Sequence, residues 1–279
     1  MIAEGQVRVS AVLEGGRLAA VRATTDRPLI GDLLLRGRAP AEAPGLLSLA
    51  LSLCGRSQAV VCAAACEAAG ATRQQQAVSE HRSRELAAET VQEHAWRLTL
   101  DWPRLAGEPE DMELLGRMRA LARSAPASDA AWCAARDALL SLVSSRLLGE
   151  RADGWLESRS ASDWLAWADH GHTSLARTIG RLARMPGGMP SKIPFLARPA
   201  SATVIGSIAE PALADPSFAR FPVLAGSAQE TGPLARLSGH HAIDQLARTH
   251  VTAARVVARS VPTSRSLNGA RLLGEVASA

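Results

Sequence analysis

Near the start of the chain, Val7, Val9, Ala11 and Leu13 fall at every second position, separated by polar or small residues such as Arg8 and Ser10. A period of two is that of a strand with one buried face. Gly15-Gly16 follows and supplies the backbone geometry of a tight turn, and Leu18 and Ala20 begin a return strand. The pattern predicts a half-buried β-hairpin within residues 1–25.

Beyond Pro28 the apolar spacing changes to three and four. Ile30 to Leu35 is an apolar run, and Leu46, Leu47, Leu49, Ala50 and Leu53 form a helical stripe after Pro44-Gly45. Gly55 interrupts that stripe, and Val60, Val61, Ala64, Ala65 and Ala68 carry a second one that Gly70 closes. A long helix is expected from Ser79 to Leu100, with Glu93 and Arg97 as an i, i+4 pair and Pro103 as its end. Further helices are expected over Asp111–Arg123, Ser128–Leu148, Ser162–Met185 and Ala235–Arg259, with serines and aspartates at the capping positions.

Residues 186–233 differ from the rest. Eight of the fifteen prolines lie there, which predicts a mostly irregular segment wrapped over the core. The expected fold is therefore mainly α: a helical bundle with a small N-terminal β-hairpin. A single domain is expected over 1–279, with the hairpin in 1–25, a helical core in 44–185, the proline-rich segment in 186–233 and a C-terminal helical part in 234–279.

Composition narrows the function classes. With 31 Lys+Arg against 27 Asp+Glu the net charge is +4, Lys192 is the only lysine, and tyrosine is absent. The arginines are dispersed and the six tryptophans are not interleaved with a basic cluster, so nucleic-acid binding is not expected. No run reaches the roughly 18 apolar residues of a membrane span, and the first residues do not read as a secretory signal. A cytoplasmic protein is expected, and with it free cysteines rather than a disulfide framework.

Candidate chemistry rests on few residues. Cys54, Cys62 and Cys66 lie close together in sequence, and the last two are i, i+4 neighbours on one helical face. Thiolates suit soft metals such as iron, zinc or copper(I), yet cysteine is also an ordinary small residue of an alanine-rich helix, and spacing alone leaves both open. His170, His172, His240 and His241 are alternative ligands for a metal-dependent hydrolase, but residues two apart on a helix diverge, and no His-Glu-x-x-His frame accompanies them. No Gly-x-Ser-x-Gly elbow and no glycine-rich phosphate cradle occurs.

Four segments, taken in order, resemble a known family. Glu4-Gly5-Gln6-Val7-Arg8-Val9 is similar to the Arg-Ile-Glu-Gly-His opening of [NiFe]-hydrogenase large subunits. Leu35-Arg36-Gly37-Arg38-Ala39-Pro40, followed by Cys54-Gly55, resembles that family's Arg-Gly-Arg-x-Pro segment and its Arg-x-Cys-Gly-x-Cys-x-x-x-His motif. Glu93-His94 looks like its long histidine-bearing helix, and Glu230-Thr231-Gly232-Pro233-Leu234-Ala235-Arg236 is similar to its Glu-x-Gly-Pro-Leu-Ala-Arg block.

The departures redirect that resemblance. Ser57 stands where the large subunit has its second cysteine, Val61 where it has histidine and Ser52 where it has arginine, and no Asp-Pro-Cys-x-x-Cys-x-x-His closes the sequence. Three of four nickel–iron thiolate ligands are thus missing, so no nickel and no hydrogenase activity are expected. The remaining resemblance is to hydrogenase expression/formation proteins of the HupK/HoxV type, degenerate relatives of the large subunit. It implies a non-enzymatic scaffold or chaperone for [NiFe]-hydrogenase maturation that transiently holds or passes on an Fe(CN)2(CO) fragment. Its implied partners are maturation accessory proteins and the large-subunit precursor. By the same resemblance Cys54 is the candidate iron ligand, Cys62 and Cys66 are weaker ones, and Glu4, Arg36, Arg38, Gly55, Glu230 and Arg236 are supporting residues. Gly55 is expected to let cargo approach the backbone.

Overall fold

A computed structural model describes residues 5–26, 28, 30–70, 76–152, 155, 159–185, 193–196, 202–215, 218 and 223–268. Strands β1 (Val7–Glu14) and β2 (Arg17–Thr25) pair antiparallel, Val7 opposite Thr25. Gly15 and Gly16 turn between them with φ of 55° and 76°, the left-handed geometry expected of a two-residue hairpin turn. The register slips after Val12, which faces Ala20, while Leu13 faces Leu18; the extra residue is Ala19 on β2. The expectation of a half-buried hairpin fails in one respect. Both faces are exposed, with Val7 at 72% and Leu13 at 69%, because no other described element covers the apolar side.

The helices follow in order: α1 (Ile30–Leu35), α2 (Ala43–Ala50), α3 (Gly55–Ala68) and α4 (Gln76–Trp96). Pro103 does not end the α4 helix as expected. A π turn over Arg97–Asp101 leads directly into α5 (Trp102–Ala106), with the Trp102 amide donating to the Arg97 carbonyl. Proline has no N–H for the Thr99 carbonyl four residues back and crowds it. The widened turn frees that carbonyl, which accepts instead from the Asp111 amide at 3.0 Å.

Next come α6 (Met112–Ser124), a short 3-10 turn at Ala125–Ala127, and α7 (Asp129–Leu142), continued by a second π turn over Val143–Leu148. Asp111 and Ser128 cap α6 and α7 with their side chains, as the sequence predicts. The helix expected over Ser162–Met185 is two: α8 (Ala161–His170), opened by a Ser160–Asp163 capping box, and α9 (Ser174–Arg184), capped by Thr173. Gly171, with φ of 63°, ends α8 between them.

The proline-rich segment is less irregular than expected. It holds α10 (Ala202–Ala214), which accommodates Pro211, and a small hairpin of β3 (Val223–Leu224) with β4 (Ser227–Ala228). The expected Ala235–Arg259 helix is divided into α11 (Pro233–Arg236), α12 (His241–Thr249) and α13 (Val251–Asn268).

The core forms around α13, which packs on α4, α7, α9, α11 and α12. Val91, Leu98, Met118, Leu139, Ile179, Ile243 and Val257 are sealed inside it. Each such aliphatic side chain contributes about 1.5–3 kcal/mol on burial, so this cluster holds the bundle and fixes α4 as a rigid support for what lies on its other side. Among the described residues no helix is long and apolar enough to cross a membrane.

Candidate functional site

Helices α2 and α3 form a close hairpin whose turn carries Cys54. A Cβ on Gly55 would lie 2.5 Å from the Ser48 carbonyl oxygen, closer than real contacts allow, so only glycine lets the start of α3 reach α2. The close approach expected at Gly55 therefore exists, but the Ser48 backbone occupies it. Cys54 is half-buried at the N-cap position of α3 and makes no capping hydrogen bond.

The cap comes from another helix. Glu89 of α4 accepts from the Arg56 amide through Oε1 and from the Ser57 amide through Oε2, both at 2.8 Å, and Ser57 Oγ also donates to Oε2. A carboxylate at a helix N-terminus satisfies orphan amides and meets the positive end of the dipole. One turn earlier Arg56 pairs with Glu85, and at the far end of α3 Glu67 receives both Arg82 nitrogens, at 2.7 and 3.0 Å. Helix α3 is stapled to α4 along its length.

A cleft of about 410 Å³ opens beside this junction. Leu53 and Gly55, on either side of Cys54, line one wall; Glu85, Glu89 and Glu93 line the α4 wall, and Arg97, Arg119 and Arg123 complete it. Burial pushes the Glu93 carboxyl above its usual range, with Glu89 and Asp101 adding to the shift and Arg97 and Arg119 holding it back. The Arg119 guanidinium lies 5.6 Å from the centre of the Trp96 ring. The pairing expected between Glu93 and Arg97 is displaced, because Arg97 takes Asp101 on the π turn. This acid and arginine wall is the part that sequence reading missed, although Glu85, Glu89 and Glu93 recur at helical spacing.

Cys62 and Cys66 do face each other on α3. Burial and then the neighbouring Cys66 push the Cys62 thiol up, which holds it protonated. Cys66 Sγ donates to the Pro40 carbonyl at 3.6 Å, which brings the end of the Arg36–Pro40 segment to this pair. Arg36 and Arg38 are exposed in that segment.

Glu230 and Arg236 belong to a different neighbourhood. Glu230 binds Arg255 of α13 at 2.7 Å, and its backbone is bridged to Pro194 and Leu196. Arg236 ends α11, which packs on α13, and its charge acts with that of Arg259 on His94 of α4. His94 is buried, and that burial, followed by Arg259 and Arg236, lowers its pKa to about 4. Helix α4 thus separates two polar regions, the cleft beside Cys54 and the His94 region at α13. Glu4 lies outside the described residues.

The alternative histidine set is not assembled as a metal site. His170 and His172 approach to 5.9 Å between ring centres because Gly171 breaks the helix, against the expectation that they diverge. Among the described residues, however, no three His, Cys, Asp or Glu side chains gather to hold a metal ion.

No family model matches the sequence, and no solved structure matches it. The chain is 30% identical over 218 residues to the hydrogenase expression/formation protein HoxV of Cupriavidus necator. The match takes in 76% of this chain and 56% of that protein, so the chain spans about half the length of this curated relative. The chain is a relative of the hydrogenase expression/formation proteins of the HoxV type.

Proposed function

We propose that this chain is an accessory protein of [NiFe]-hydrogenase maturation that holds or passes on an Fe(CN)2(CO) fragment through Cys54, without catalysing a reaction itself. The single observation that carries the reading is its similarity to HoxV. The position of Cys54 supports the finer claim. Cys54 is half-buried and free of any capping bond, and although it does not itself line the cleft, its sequence neighbours Leu53 and Gly55 do. One Fe–S bond anchors a preformed low-spin iron fragment while leaving it releasable, whereas several would trap it. Cyanide nitrogens accept hydrogen bonds, and the cleft offers guanidinium donors from Arg119 and Arg123.

Infrared spectra of protein purified without air from a maturation-competent host test the reading. Cyanide and carbonyl bands are expected in the wild type, in Cys62→Ser and in Cys66→Ser, and are expected to vanish in Cys54→Ser. Bands that survive Cys54→Ser end the ligand assignment. A second reading is a metal-free interaction protein of the same machinery. Under that reading no cysteine variant alters maturation and no preparation carries the bands.

A further inference from the structure

The β1–β2 hairpin stands outside the function proposed above, and the outer edge of β1, which pairs with no other described strand, has a pattern of its own. We propose that β1 pairs antiparallel with β1 of a second copy of this chain, about a two-fold axis through Ala11, so that the two hairpins form one four-stranded sheet.

A two-stranded hairpin is at best marginal in water, and this one exposes Val7, Val9, Leu13, Leu18 and Val21 on one face. Its two edges are not equivalent. The bulge at Ala19 distorts β2, a common protection of an edge strand, whereas β1 keeps one register with its partner from Val7 to Val12. The Asp26 amide donates to the Gln6 carbonyl at 3.1 Å, which turns the backbone groups of Gln6, Arg8, Ser10 and Val12 toward β2. By alternation those of Val7, Val9, Ala11 and Leu13 point out to the outer edge.

Along that edge the sequence is self-complementary. With the axis on Ala11, Arg8 of one copy lies opposite Glu14 of the other, twice, on the polar face, and Val9 lies opposite Leu13 on the apolar face. The outward backbone groups of Val9, Ala11 and Leu13 then meet outward groups of the other copy, while Val7 faces Gly15 at the turn. Moving the axis to Ser10 sets Arg8 against Val12, and moving it to Val12 leaves Arg8 beyond the strand; only the Ala11 register satisfies both charges. Arg8 is exposed; its guanidinium donates to Gln6 Oε1 at 3.3 Å and reaches Asp26 of its own hairpin at 3.7 Å, long contacts that leave room for a closer carboxylate partner. Opposite charges set across from each other add stability to a strand pair, and like charges subtract it.

Light scattering or sedimentation of the full chain across protein concentration reads the outcome. The wild type is expected as a dimer of twice 29.3 kDa. Arg8→Glu and Glu14→Arg, made singly, are each expected to weaken dimerisation about tenfold, and the double exchange to restore it. Ala11→Pro, which removes an outward N–H, is expected to give a monomer with unchanged helical circular dichroism. A monomeric wild type overturns the proposal, as does a dimer indifferent to Arg8→Glu and to Ala11→Pro. The iron bands of the preceding test do not enter this measurement, so the two proposals fail separately.

Discussion

Ser57 gives both its amide and its hydroxyl hydrogen to Glu89, joining the first turn of α3 to the middle of α4. The position that resembles a ligand position of the hydrogenase large subunit is thus occupied by a hydrogen-bond donor engaged with a carboxylate. Glu89→Ala leaves the Arg56 and Ser57 amides without their acceptor and is expected to cost about 1–2 kcal/mol, the range of a lost helix cap. Ser57→Ala removes one of the three bonds and is expected to cost about 1 kcal/mol. Urea unfolding of both variants checks the order; equal stabilities would show that α3 does not depend on this staple.

Two glycines are expected to respond to alanine in opposite directions. At Gly55 the added methyl meets the Ser48 carbonyl at 2.5 Å, and neither the backbone carbonyl nor a Cβ fixed to the chain can rotate away, so α2 and α3 must move apart. A loss of about 1–3 kcal/mol is expected, as for other overpacked sites. Gly116 lies inside α6, exposed, with open space around its missing Cβ. Alanine there is expected to stabilise by about 0.5–1 kcal/mol through helix propensity alone. Thermal melts of the two variants should shift in opposite directions.

Local sequence pattern accounts for some of these arrangements and not for others. Alternation and Gly15-Gly16 were enough to place the hairpin, because strand period and turn chemistry are local. Its exposure was not readable, since burial depends on elements far away in the chain. Pro103 read as a stop, and rightly by local rules; the relief came from Asp111, which takes up the freed Thr99 carbonyl. Glu85, Glu89 and Glu93 have the spacing of any solvated helix face. Only the arrival of the α3 N-terminus turns them into the wall of a cleft, and no period in the sequence encodes that arrival.

Glu108 ties α9 to the turn before α6. Its buried carboxylate accepts from Arg177 Nε and forms an ion pair with Arg181 Nε, each at 2.8 Å, and its amide donates to the Pro103 carbonyl. Glu108→Gln keeps the shape but removes the charge facing two guanidinium groups. Both arginines are about half exposed, so solvent takes up part of the lost attraction. A loss of about 1–2 kcal/mol is expected, less than the 3–5 kcal/mol typical of a fully buried broken pair. A double-mutant cycle with Arg177→Ala checks the coupling; additive effects would mean that the contact contributes nothing.

His94 makes stability depend on pH in one direction. In the fold its pKa is lowered from 6.5 to about 4, first by burial and then by Arg259 and Arg236, against a hydrogen bond to the Arg259 backbone that favours protonation. The unfolded chain therefore binds this proton more readily than the folded one. The contribution is fully present above about pH 6.5 and is lost as pH falls toward 4, by up to about 3 kcal/mol if the whole shift is expressed. Carboxylates protonate over the lower part of the same range, so the wild type alone does not isolate the effect. The difference between wild type and His94→Gln does: glutamine cannot take up the proton, and the gap between the two unfolding free energies should change in glutamine's favour as the buffer is taken from pH 7 to pH 4.5. Parallel curves for the two proteins would show that His94 is not held neutral between α4 and α13.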